Sequence, residues 1–268
     1  MVSKNYKTYS VKQVDAKLAR DIKEHKMKNI RNFIFVLIIL SIIFRGTISY
    51  WLKFGFPHSN QYQSEVIDVD NDPYLNIYTN EEKTEKTFTY KSLINGNEVT
   101  VVPQASYKIS GMVIAYNHDF LLKNNFFDTI ALYDVGLAWG KLANEKIFKK
   151  YFKSYSQKNE LSGSRVLWVE PKTFDNIPIK INEAVSHFSH SHIVPANSNI
   201  MGAFLKIKDW DKVEIEGYLV DLIYINQNGD AEIFKTSLST TDIGISRGSG
   251  TNETIYVTKV KINHRVYY

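Results

Sequence analysis

Lys208-Asp-Trp-Asp-Lys-Val-Glu-Ile-Glu-Gly-Tyr-Leu-Val220 is the stretch that decides the fold class. Val213 and Ile215 alternate with Glu214 and Glu216, the period-two pattern of a strand with one buried face. Gly217 lets such a strand bend, which suits a small, curved barrel. The run then becomes apolar as far as Ile225, Asn228-Gly229 turns the chain, and Ala231–Thr236 returns. Thr254–Ile262 alternates again as a final strand, after a glycine–serine loop at Ser246–Gly250.

Working upstream, Thr87–Ile94, Asn95-Gly96 and Asn97–Val102 predict a hairpin, because Asn-Gly supplies the positive φ angles of a tight turn. Tyr107–Tyr116 predicts a further strand with a bulge at Gly111. Phe126–Gly140 is rich in apolar residues and fits no single period. Leu142–Tyr155 predicts a helix, Arg165–Val169 a short strand, and Ser198–Leu205 a helix with Ser198 as its N-cap. The fold class is α+β and β-rich, a small curved sheet or barrel-like domain over residues 87–268.

Charge is concentrated at the other end of the chain. Residues 1–31 carry nine basic and three acidic side chains, and the other 237 carry 24 basic and 25 acidic. The basic character therefore belongs to an arm, and a nucleic-acid surface on the domain is excluded. The arm reads as a helix from Ser10 to Ile30, with Val11, Val14, Leu18 and Ile22 on one side. Asn32–Phe44 follows without a charge, and Gly46–Leu52 continues beyond Arg45. Thirteen residues span only about 20 Å of helix, whereas 32–52 would cross a hydrocarbon core of about 30 Å. Arg45 would snorkel, and Tyr50 and Trp51 would sit at the interface.

These features predict a basic cytoplasmic arm (1–31), one N-terminal transmembrane helix (32–54), a polar, acidic linker (55–86) and an extracytoplasmic, periplasmic domain (87–268). A cleaved signal peptide or a buried core helix are the alternatives for the apolar run. In the linker, Asp68-Val-Asp-Asn-Asp72 has the start of a calcium loop but lacks its sixth-position glycine and twelfth-position glutamate.

The absence of cysteine excludes disulfides, thiolate metal sites, iron–sulfur clusters and cysteine nucleophiles. There is no G-x-S-x-G, no P-loop and no dinucleotide fingerprint. The remaining chemical candidate is His187-Phe-Ser-His190-Ser-His192, three imidazoles within six residues. On a strand His190 and His192 share a face while His187 points away, so all three converge as metal ligands only if the segment bends. Asp242 and His264 are the candidates for a fourth ligand. The alternative is a loop whose histidines bond backbone groups or face solvent.

Several stretches in order resemble an uncharacterised family of bacterial envelope proteins with one N-terminal membrane span. They are Tyr107-Lys-Ile-Ser-Gly-Met-Val-Ile-Ala-Tyr116, Tyr133-Asp-Val-Gly-Leu-Ala-Trp-Gly140, His187 to Ala196, Glu216-Gly-Tyr-Leu-Val220, Thr236 to Gly244 and Thr254-Ile-Tyr-Val257. The positions matching the family pattern are Asp134, Trp139, Gly140, His187, His192, Pro195, Gly217, Asp242 and Gly244, and His190 lies outside it. The resemblance implies an architecture and no activity. Taken with the residues, it gives the expectation of a membrane-anchored extracytoplasmic binding or structural protein in the bacterial inner membrane. Its partner would be an envelope protein or a second copy, with no cofactor. The alternative is a periplasmic hydrolase or metal-dependent enzyme using His187, His192 and Asp242, with His190 incidental.

Overall fold

The computed structural model describes residues 27–35, 57–59, 61–62, 66–118, 126–158, 165–173, 175–226, 228–239 and 252–268. Residues 27–35 form a helix, α1, in a unit that ends at Gly55; all other described residues belong to a second unit.

The alternation at Val213 and Ile215 is a strand, β9 (Lys212–Ile225). It lies antiparallel to β4 (Glu98–His118), a strand of 21 residues that runs through the predicted hairpin arm and the Tyr107–Tyr116 segment without a break. Earlier strands pair onto β4 at its open flank: β2 (Tyr74–Ile77) and β3 (Phe88–Lys91), with Gly96 at φ 76° in the β3–β4 turn. β1 (Gln61–Tyr62) pairs instead with the last strand, β12 (Arg265–Tyr267). Further along that same flank, away from β9, β4 pairs with β5 (Tyr133–Ala138), β5 with β8 (Phe188–Pro195), and β8 in parallel with β11 (Asn252–Ile262). β11 then pairs back onto β9, while β10 (Ala231–Phe234) extends β9 at its far end. Ten strands share this mixed sheet, and five of them, β4, β5, β8, β11 and β9, close into a ring.

Closing a ring of five strands demands sharp bending, which is met by register shifts at Pro103/Ala105 and Val113/Ala115 in β4 and at Val257/Lys259 in β11. Gly217 sits on the seam between β9 and β11. A Cβ there would lie 2.0 Å from the Tyr256 carbonyl oxygen, so the two backbones meet only because the side chain is absent. The inside is filled by residues of one parity, among them Ile109, Val113, Leu137, Ile193, Leu219 and Ile255, each with no exposed area. Inward-facing Tyr133 and Tyr116 donate their hydroxyls to the Met201 and Phe204 carbonyls of α5 (Ser198–Phe204).

A separate hairpin, β6 (Phe152–Lys158) and β7 (Arg165–Pro171), lies over the outer face of β4 and β5. Leu167 of β7 packs where a Cβ on Gly136 would be, and the Ser154 hydroxyl of β6 donates to the Ile114 carbonyl. The predicted helix Leu142–Tyr155 is accordingly shorter. It is a 3-10 turn (Gly140–Ala143) and then α3 (Glu145–Tyr151), capped by Asn144, before the chain turns into β6. The helix predicted at Ser198 is capped one residue earlier, by the Asn197 side chain on the Ile200 amide.

Two expectations are corrected. The fold class included a transmembrane helix, but among the described residues no helix is long and apolar enough to cross a membrane. The described part of α1 is nine residues, about 14 Å of helix, and it includes Lys28 and Arg31. The rest of the apolar run, from residue 36, and the arm before Met27 lie outside the described residues.

The second correction concerns the linker, whose residues 66–86 are part of the fold. Ile67 and Val69 are buried, Val69 O accepts from the Gly140 amide, and Trp139 Nε1 donates to Asp72. The acidic residues that suggested solvated chain have local tasks. Asp68 accepts from the Asp70 amide, and Thr79 and Glu82 form the capping box of α2 (Asn80–Lys86).

Two outcomes follow. A fragment 57–268 melts cooperatively at a higher temperature than 87–268, which lacks β1, β2 and the Ile67–Val69 contact; calorimetry compares them directly. Gly217→Ala costs about 3 kcal/mol or more in denaturant melts, because the clash is with backbone. Gly136→Ala costs less, because the obstacle is the Leu167 side-chain end.

Candidate functional site

β8 is the strand on which the site is built. All eight of its residues are buried, because one face lines the ring and the other is covered by the β6–β7 hairpin and the 3-10 turn Phe127–Thr129. Period-two alternation sends His190 and His192 outward and Ser189 and Ser191 inward. Asp134 on β5 stands directly opposite His192, and Asn252 and Thr254 on β11 stand opposite His190 and His192 on the other side.

The outward cluster centres on Asp134. His192 Nδ1 lies 2.6 Å from Asp134 Oδ1, and since a carboxylate only accepts, the imidazole donates and carries its proton on Nδ1. His190 Nδ1 lies 3.0 Å from Asn252 Oδ1 and is likewise the protonated nitrogen. The lone pair of His190 therefore sits on Nε2, which is buried, makes no hydrogen bond and lies 3.9 Å from Asp134 Oδ1. Arg165, at the start of β7, brings Nε to 3.4 Å from Asp134 Oδ1 and 3.9 Å from Asp128 Oδ1. Its Nη1 donates to the Ala131 carbonyl at 2.9 Å, and the guanidinium lies over the Phe127 ring.

Burial works on these groups in opposite directions. It would raise the Asp134 carboxyl, but the Arg165 charge and the His192 hydrogen bond outweigh it and hold Asp134 below the usual range. Burial pushes His190 down to about 3, helped by neighbouring His192, and pushes His192 down as well. At neutral pH both imidazoles are uncharged. Formally, the two aspartates and Arg165 then leave a net charge of −1 among the described residues of the cluster.

The inward face carries a second polar group. Glu253 accepts from the Tyr107 hydroxyl at 3.0 Å and the Ser191 hydroxyl at 3.1 Å, inside the ring and out of reach of solvent. Burial, with no cation beside it, raises the Glu253 carboxyl to about 7 despite these donors.

The predicted site residues are sorted differently by this geometry. His190 and His192 share a face as strand alternation implies, and His190 belongs to the cluster. His187 does not. It follows α4 (Ile181–Val185), where its Nδ1 bonds the Glu183 carbonyl and its ring lies against Trp139 and Gly140. Asp242 lies outside the described residues, and His264 sits in the exposed β11–β12 turn. Sequence reasoning missed Arg165, Asn252, Glu253 and the role of Asp134. One signal was present: Asp134 is a lone charge inside the otherwise uncharged run Thr129–Gly140. A lone charge in a buried strand needs a partner from elsewhere in the chain. No protein-family model matches the chain, and no curated protein matches it.

Glu253 gives a pH signature of its own. Its folded pKa, about 7, lies above the ordinary 4.5, so the folded state holds its proton longer than the unfolded one. Its contribution to stability is complete below about 4.5 and is lost as pH rises to about 7. Denaturant melts of the wild type and Glu253→Gln across this window should therefore diverge, with the wild type losing about 3 kcal/mol relative to the variant. Parallel profiles would show that Glu253 is ionised in the folded protein throughout.

Proposed function

We propose that the protein binds a divalent transition metal through Asp134, His190 and His192. The observation that carries this reading is that one ligand atom from each residue lies within 4.8 Å of the others, all three buried. Three further features support it. His190 Nε2 presents a lone pair toward a carboxylate oxygen with no hydrogen between them, an unfavourable meeting that a cation relieves. Both imidazoles have their pKa lowered by burial, so His190 Nε2 can take a metal without losing a proton, while His192, whose Nδ1 proton faces Asp134, binds through Nε2 or shifts that proton there. Asp134, held ionised beside Arg165, supplies a buried negative charge on the cluster that favours a cation.

Two imidazoles and a carboxylate suit zinc, iron(II) or manganese(II) better than calcium or magnesium. Three protein ligands leave a coordination position open, the arrangement of centres that bind water or substrate. Asn252 acts as the outer partner that fixes the His190 tautomer. This reading keeps His190 and His192 from the expected metal ligands and puts Asp134 in place of His187 and of the fourth-ligand candidates Asp242 and His264.

Isothermal titration of the metal-free, full-length protein with zinc should show one site. His190→Ala and His192→Ala should each weaken binding by about 100-fold or more, and His187→Ala should leave it within about twofold. Absence of zinc binding by the wild type, or equal binding by His190→Ala, would falsify the assignment.

A further inference from the structure

Arg165 is nine-tenths buried, yet among the described residues its Nε and Nη2 meet no acceptor in hydrogen-bond geometry. Thr254 Oγ1, buried and also without a hydrogen-bond partner among the described residues, lies on the outward face of β11 opposite His192. Orphaned donors of this kind mark a place that a ligand or water completes. Charge points to what the ligand is. A divalent ion beside Arg165 puts three positive charges against the Asp134 carboxylate at the ligand positions, which favours an anionic ligand there. Nε stays ion-paired with Asp134 at 3.4 Å, but the unmatched Nη2 beside it leaves the guanidinium able to take an oxygen of a further carboxylate.

The body of such a ligand has a matching surface. A cleft of about 340 Å³ is lined by Phe126, Phe127, Leu222, Tyr224, Ile233 and Phe234, with the charged Glu232 also on its lining. Phe127 and Phe234 stack on each other at 3.6 Å, and both turn toward the His192 ring. The opposite face of Phe127 carries Arg165. Phe127 is thus shared: it lines the cleft, lies edge-on to His192 and carries Arg165 on its other face.

We infer that the metal-loaded site binds an organic carboxylate, its head between the metal and Arg165 and its apolar body against the Phe127–Phe234 wall. The inference rests on the metal reading above and deepens it. Binding of the two is linked: a carboxylate that needs the metal must in turn tighten the metal.

The test uses cobalt(II) as a visible probe on the full-length protein, titrated with sodium benzoate. A saturable change in the cobalt spectrum is expected, with cobalt affinity raised about tenfold at saturating benzoate. Acetate should produce a weaker effect, and Arg165→Lys, which keeps the charge but loses the fork, should lower the linkage to under about threefold. Bound cobalt that ignores benzoate, or an unchanged linkage in Arg165→Lys, overturns the inference and leaves the metal site standing. Acetate equal to benzoate overturns the role of the aromatic wall, and sulfate equal to benzoate overturns the choice of a carboxylate. Failure of the wild type to bind cobalt overturns the metal reading and this inference with it. The wild-type linkage alone decides the matter if Arg165→Lys does not fold.

Discussion

The close approach of β9 and β11 at Gly217 is the constraint on which the rest of the structure depends. Without it the sheet is an open one, with β11 paired only to β8 and β12. With it, five strands form a ring, and an inside is created that must be dry. β5 and β8 are then enclosed on the inner side by closure and on the outer side by the β6–β7 hairpin. Every polar side chain on these two strands must find its partner within the protein.

The protein meets that demand in two different ways on the two faces of the same strands. Inside, the groups around Glu253 among the described residues are the hydroxyls of Tyr107, Ser191 and Ser189. The cheaper state for such a carboxyl is the neutral one, and its pKa rises accordingly. Outside, Asp134 has Arg165 and stays ionised, while its imidazole neighbours give up their protons. The inner cluster is closed, with its donors and acceptors matched. The outer cluster is left open at His190 Nε2, at two guanidinium nitrogens and at Thr254 Oγ1. Function is assigned to the outer face because unmatched buried groups are costly and have no structural use there.

Much of the strand architecture was legible in the sequence, because alternation and turn residues are local signals. β9 runs over Lys212–Ile225 as its pattern implies, while Gly217, read as a place for the strand to bend, serves the close approach of β11. The 66–86 segment was misread because its acids looked solvated, when Glu82 and Asp68 are engaged in caps and turns whose partners lie two or three residues away. β8 itself was visible only as a cluster of histidines. It is buried on both faces, so it lacks the alternation that identifies a half-buried strand. The site was harder still. Asp134, Arg165 and Asn252 come from three different strands, and nothing local connects them. The pattern match put weight on His187 and set His190 aside, whereas alternation along a strand pairs His190 with His192.

The two clusters are also locked to each other through the β8–β11 register. His190, Ser191 and His192 lie opposite Asn252, Glu253 and Thr254, so outer and inner residues interleave along both strands. A slip of one residue would send Glu253 outward among the histidines and Asn252 inward, where Tyr107 and Ser191 would lose their acceptor. Each cluster therefore specifies the register that the other needs. Glu253, with no part in the outer chemistry, still determines that Asn252 meets His190 and fixes its tautomer. A ligand that tightens the outer cluster holds β8 and β11 in the same register that keeps Glu253 among its donors. Occupancy outside and packing inside are coupled by the period-two geometry of two adjacent strands, with no moving part required.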